Sequence, residues 1–155
     1  MSQKLSDTLS RLYQPPKDGV RQVLALSRKD AERLPRLQSM AVISITSPDR
    51  QPANLDGFDH LLRLHFEDID FLNPKLSKKA QEKIIHAFTS EQAQAIRSFV
   101  DAMPNEVASV VVHCEGGYSR SCAVALAIHC LYGYHAETNF LAQANPSVFQ
   151  VMMMD

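Results

Sequence analysis

The stretch Val107 to Tyr132, VASVVVHCEGGYSRSCAVALAIHCLY, decides how this chain folds. Val107 to His113 is apolar and rich in β-branched side chains, which predicts a buried strand. Ser121 to Tyr132 is alanine-rich and almost free of charge, which predicts a buried helix closed by Gly133 in the left-handed conformation. The polar loop between them then lies at the carboxyl end of a strand and the start of a helix. Open α/β folds place anion sites there.

The loop carries the residues that an anion site needs. Gly116 and Gly117 let the backbone curl, so that N–H groups converge on phosphate oxygens without loss of side-chain entropy. Arg120 adds a planar fork that binds two oxygens at once, which lysine does not reproduce. Cys114 sits at the positive mouth of the helix, where a thiolate is favoured. The expected phosphate-binding set is therefore Cys114, Glu115, Gly116, Gly117, Tyr118, Ser119 and Arg120. Tyr118 either shapes the pocket edge or packs with its hydroxyl in water. His113, at the strand end, is expected to brace the loop, with an ordinary satisfied core histidine as the competing reading. For Cys114 and Arg120 the competing readings are a buried structural thiol and a surface ion pair.

The pattern His113-Cys114-x2-Gly117-x2-Arg120-Ser121, between a buried strand and a buried helix, resembles the signature of the cysteine-dependent protein phosphatases, the protein tyrosine phosphatase superfamily. The compact dual-specificity-like members, with their prokaryotic relatives, are most similar. The resemblance is sharp over Val107 to Ile128 and extends to Leu61 to Asp68. It implies a single α/β domain with a central, partly parallel sheet flanked by helices. It also implies a metal-independent, cofactor-free reaction in which Cys114 attacks phosphorus, a phosphocysteine forms and water hydrolyses it. Asp68, just after a predicted strand, takes the place of the family's acid loop as general acid and then base, with Asp70 as the alternative. Ser121 resembles the hydroxyl residue that helps the sulfur leave, and a helix cap is its bland role. Asp68 and Cys114 stand further apart in sequence than in compact dual-specificity members, an interval that an insertion over Asp70 to Phe88 accounts for.

The implied substrate is phosphotyrosine, with phosphoserine and phosphothreonine as further targets, on a protein or peptide. Alternatives are a small phosphorylated metabolite, a phosphoinositide or an RNA 5′ phosphate. Glu115 argues against a highly charged substrate by adding negative charge at the mouth. A phosphopeptide-binding module without turnover, a sulfur-transfer enzyme and a purely structural domain are the remaining readings. The oligomeric state stays open.

Composition narrows the field. The chain has 155 residues, 45% of them hydrophobic, enough for one domain with a sizeable core. Its 16 Lys and Arg nearly balance 17 Asp and Glu, for a net charge of -1, which argues against a broad nucleic-acid surface. The absence of a membrane-length apolar run, and of a signal-like core in Met1 to Leu12, predicts a cytoplasmic protein without membrane association. Cys114, Cys122 and Cys130 suit a reducing compartment. Cys122 and Cys130 fall inside the predicted helix, so no zinc site is expected. As a secondary expectation Cys114 is sensitive to oxidation, with Cys122 constrained by the helix against acting as its resolving partner and a Cys114–Cys122 disulfide as the minor alternative.

Elsewhere, residues Met1 to Gly19 read as an irregular lead-in with turn signals at Pro15-Pro16 and Asp18-Gly19. Strands are predicted over Arg21 to Leu26, Met40 to Thr46 and Leu61 to Phe66. A short helix capped by Ser27 and Asp30 should reach Leu34, and Gln51 to Asp59 should be a polar connection. Ser77 caps a short helix whose Lys75, Lys78, Lys79 and Lys83 either face solvent or border a substrate groove. A helix from Thr89 or Ser90 buries Ala93, Ile96, Phe99, Val100 and Met103, and ends at Pro104-Asn105. Helices over Ala136 to Ala144 and from Pro146 close the chain.

Overall fold

The computed structural model describes residues 2–137 and 139–154. Four strands, β1 (Gln22–Ser27), β2 (Met40–Thr46), β3 (Leu61–His65) and β4 (Ser109–Cys114), form one sheet in the order β1-β4-β2-β3. Every pairing is parallel, so the partial parallelism expected from sequence becomes complete among the described residues. Register follows from a period of two. Val110 and Val112 turn to one face with Val23, Ala25, Ile43 and Ile45, while Val111 turns to the other with Leu24, Leu26 and Val42. Both faces are covered, which is why β1, β2 and β4 are apolar almost throughout.

On the first face lie α4 (Ser90–Asp101), α5 (Arg120–Tyr132), α6 (Phe140–Gln143) and α7 (Pro146–Met153). Thr89 and Gln92 form a reciprocal capping box at the start of α4, which buries Ala93, Ile96 and Val100. Helix α5 packs from Arg120 to Ile128 with little solvent contact, and Gly133 ends it at φ 72°. Asn145 caps α7 and Pro146 opens it. The second face is covered by α1 (Gln3–Tyr13), α2 (Arg28–Ala31) and the buried Ala53 and Leu55 of the polar connection.

Helix α1 corrects the expectation of an irregular lead-in over residues 1–19. Ser2 Oγ accepts from Leu5 N–H at 3.0 Å, and Leu5 and Leu12 enter the core, so a mostly polar segment is helical through one narrow apolar stripe. Ser27 caps α2 as expected, but the helix proper stops at Ala31. The helix expected over Ala136 to Ala144 contracts to α6, and Thr138 within that span lies outside the described residues. The lysine-rich segment forms α3 (Lys78–Glu82), capped by Ser77, and a 3-10 turn over Ile84–His86. Among the described residues no helix is long and apolar enough to cross a membrane.

Candidate active site

Because β4 ends at Cys114 and α5 begins at Arg120, residues 115–119 must turn the chain from sheet to helix. Gly117 makes the turn at φ 84°, and a Cβ there would fall 2.5 Å from the carbonyl carbon of Leu26. Arg28 N–H donates to the Glu115 carbonyl at 3.2 Å, so the first residue of α2 ties the loop to the β1–α2 junction. The ring of Tyr118 folds back over Gly116, although the tyrosine itself is 59% exposed.

Inside this loop Cys114 is buried. Its Sγ receives Gly117 N–H at 3.3 Å and lies 3.2 Å from Ser121 Oγ. His113 is fully buried behind it. The Cys114 carbonyl, 3.2 Å from Nδ1, only accepts, so Nδ1 carries the proton and Nε2 accepts from Ser44 Oγ at 2.6 Å. Burial pushes the imidazole down to about 4, and both contacts suit that neutral tautomer.

Arg120 is 6% exposed and anchored through Nη1, which donates to the Phe66 carbonyl at 2.8 Å and to Ser47 Oγ at 3.3 Å. Its Nε is buried and has no partner among the described residues. A buried, unpaired N–H on a cation is costly unless an acceptor arrives. The guanidinium lines a cavity of about 260 Å³ together with Ser47, Glu67, Asp68, Lys79 and Lys83. Lys83 Nζ stands 3.8 Å from the Glu67 carboxylate. Two of the four lysines thus border the cavity; Lys75 and Lys78 are absent from its lining.

Asp68 Oδ1 accepts from Ser119 Oγ at 2.8 Å and from Asn145 Nδ2 at 2.8 Å, which ties the carboxylate to the cysteine loop and to α7. Asp70 faces a different neighbourhood. Its Oδ1 accepts from Ser147 Oγ at 2.7 Å and from Leu72 N–H at 3.1 Å, a local turn contact plus a tie to α7. The structure thus brings Cys114, His113, Gly117 and Ser121 together, places Arg120 at the cavity that Asp68 also lines, and attaches Asp68 through Ser119. Ser119 contributes its hydroxyl to Asp68, and Glu115 turns its carboxylate toward Arg28 and Arg50, 3.8 and 3.9 Å away. The charge that Glu115 adds at the mouth is therefore countered.

All three cysteines are free. Burial, with Cys114 as a further contributor, pushes the Cys122 thiol up to about 12. Two residues escape the sequence reading. Ser44 is a hydroxyl within the apolar run of β2, and that incongruity is its only signal. Asn145 is recognisable as the residue before a helix-opening proline, but nothing local points to Asp68.

No family model matches the sequence, and no curated protein matches it. Among solved structures, a point variant of human DUSP28 aligns at TM-score 0.44 and 19% identity, over 86% of this chain and 78% of that one. Human DUSP28 itself aligns at TM-score 0.40 and 17% identity, over 86% and 94% of the two chains. Likenesses this distant assign no family.

Proposed function

We propose that this chain is a cysteine-dependent phosphomonoester hydrolase whose substrate is a phosphorylated protein or peptide, phosphotyrosine foremost. The observation that carries the reading is the presence, in one loop, of a buried thiol within reach of a backbone amide and a buried guanidinium with an unpaired Nε. An oxyanion that reached the Arg120 cavity would give Nε its missing acceptor.

In the first step the Cys114 thiolate attacks phosphorus in line, and the bond to the leaving oxygen breaks. Asp68 gives that oxygen a proton, so that it need not depart as an anion. Arg120 follows the equatorial oxygens as the transferring group becomes planar. In the second step water attacks the phosphocysteine, returns a proton to Asp68 and expels the Cys114 thiolate. Ser121 Oγ, already 3.2 Å from the sulfur, rotates its hydrogen to stabilise the leaving thiolate. His113 takes no proton in this scheme; its Nδ1–H holds the Cys114 carbonyl. A reducing, cytoplasmic setting suits the free thiols.

A second reading, a small phosphorylated metabolite, phosphoinositide or RNA 5′ phosphate, gains from the pairing of Glu115 with Arg28 and Arg50, which removes the charge objection to it. Initial rates on phosphotyrosine, phosphoserine and phosphothreonine peptides, in reducing buffer with chelator and alongside Cys114→Ser, test the proposal. Chelator-resistant release of phosphate that depends on Cys114 supports it. Silence on all three peptides with turnover of a small phosphate moves the assignment to the second reading.

A further inference from the structure

We propose that Asn145 is the positioning residue for the acid step, selecting which oxygen of Asp68 carries the transferable proton. The inference rests on the reading of Asp68 as the general acid. Asn145 is 4% exposed and stands at the N-cap of α7. Its Oδ1 accepts from Ser147 N–H at 2.9 Å and from Val148 N–H at 3.2 Å, while its own N–H donates to the Ser119 carbonyl at 3.1 Å. A helix cap requires no more than the Oδ1 bonds. The amide nitrogen does something further: it donates to Asp68 Oδ1 at 2.8 Å and to the Ile69 carbonyl at 3.1 Å.

These bonds remove a freedom that an amide ordinarily has. Two helix N–H groups hold Oδ1, so the side chain cannot flip, and Nδ2 must face the acid loop as a donor. A carboxylic acid holds its proton on one oxygen and accepts on the other. With Asn145 and Ser119 both donating to Oδ1, the proton of Asp68 is directed to Oδ2, which accepts no hydrogen bond among the described residues. The second amide hydrogen, on the Ile69 carbonyl, fixes the backbone beside the acid. Because neither donor ionises, the pose is the same before and after proton transfer. Positioning errors near an ångström cost on the order of a hundredfold in rate, so a contact of this kind has kinetic weight.

The test uses Asn145→Ser and Asn145→Asp, both of which keep an oxygen to cap α7. Steady-state rates are compared on an aryl phosphate with an activated leaving group and on a phosphotyrosine peptide, with Asp68→Ala in parallel and thermal melting as a folding control. Asn145→Ser is expected to stay within about twofold of the parent on the activated ester, and to lose roughly ten- to hundredfold in kcat on the peptide. Asn145→Asp places a new carboxylate against Asp68, whose other charged neighbours are Glu67 and Asp70 on its own loop and Arg120, Lys79 and Lys83 around the cavity. The alkaline limb of its kcat profile should therefore move to higher pH. Ser147→Ala, which cuts the parallel tie from α7 to Asp70, should show no leaving-group selectivity.

Equal losses on both substrates, or none on either, while Asp68→Ala remains selective, overturn the positioning role and leave the acid assignment standing. If Asp68→Ala itself shows no selectivity, the acid assignment falls and the role of Asn145 falls with it.

Discussion

Gly117 lies so close to Ser27 that a Cβ on the glycine would come within 2.3 Å of the Ser27 amide nitrogen. The neighbour is backbone in the middle of the sheet-to-helix transition and cannot rotate aside. Gly117→Ala is therefore expected to lower stability by at least about 2 kcal/mol, from the left-handed backbone and the clash together. It should also abolish binding of inorganic phosphate, measured by calorimetry on the folded fraction. Retained phosphate affinity would show that the loop tolerates displacement from β1.

Cys114→Ser should reduce kcat by a factor on the order of 10³ or more, because an alkoxide is much harder to form than a thiolate. Phosphate binding should survive. Arg120→Lys should instead impair both phosphate affinity and kcat, the latter by about 10²- to 10³-fold, since an ammonium supplies neither the fork nor the buried Nε–H. Calorimetry beside single-turnover kinetics separates the two patterns.

His113 predicts a pH effect on stability. Its folded value near 4 lies below the ordinary unfolded value of about 6.5, so the unfolded chain binds the proton more readily. The stability it contributes is fully present above about pH 6.5 and is lost as pH falls toward 4, on the order of 3 kcal/mol across that window. Denaturant midpoints between pH 7 and 5 should decline in the parent protein, and His113→Asn should flatten the decline. An unchanged slope would place the titration elsewhere.

Oxidation chemistry should divide the cysteines. Cys122, held near 12, stays protonated at neutral pH and makes a poor attacking group. Mild peroxide should modify Cys114 and inactivate the protein without linking it to Cys122, an outcome read directly by peptide mass mapping. A mapped Cys114–Cys122 disulfide would show that neither the helix nor the raised thiol keeps Cys122 from resolving oxidised Cys114.

What sequence reveals about this molecule is what lies close together along the chain. The run of valines before Cys114 and the alanines after Arg120 announce their strand and helix, and five intervening residues suffice to describe an anion loop. Met40–Thr46 and the Thr89 cap are equally plain, because period and punctuation agree. Helix α1 is less visible: Leu5 and Leu12 are few among polar neighbours, and the Pro15-Pro16 and Asp18-Gly19 signals dominate that region. Ser44 and Asn145 acquire their roles through register and distance. Ser44 meets His113 because β2 and β4 align them, and Asn145 meets Asp68 across 77 positions of chain.

The uniformly parallel sheet also has a kinetic meaning. No strand is joined to its neighbour by a hairpin, so every pairing closes a long loop, and such chains tend to assemble slowly. The cysteine loop leans on β1, the guanidinium on the end of β3, and the carboxylate on a residue of the last helix. No early fragment of the chain contains all three supports. Recovery of the proposed turnover during refolding should therefore trail the recovery of helical signal, and activity would report that the fold is complete.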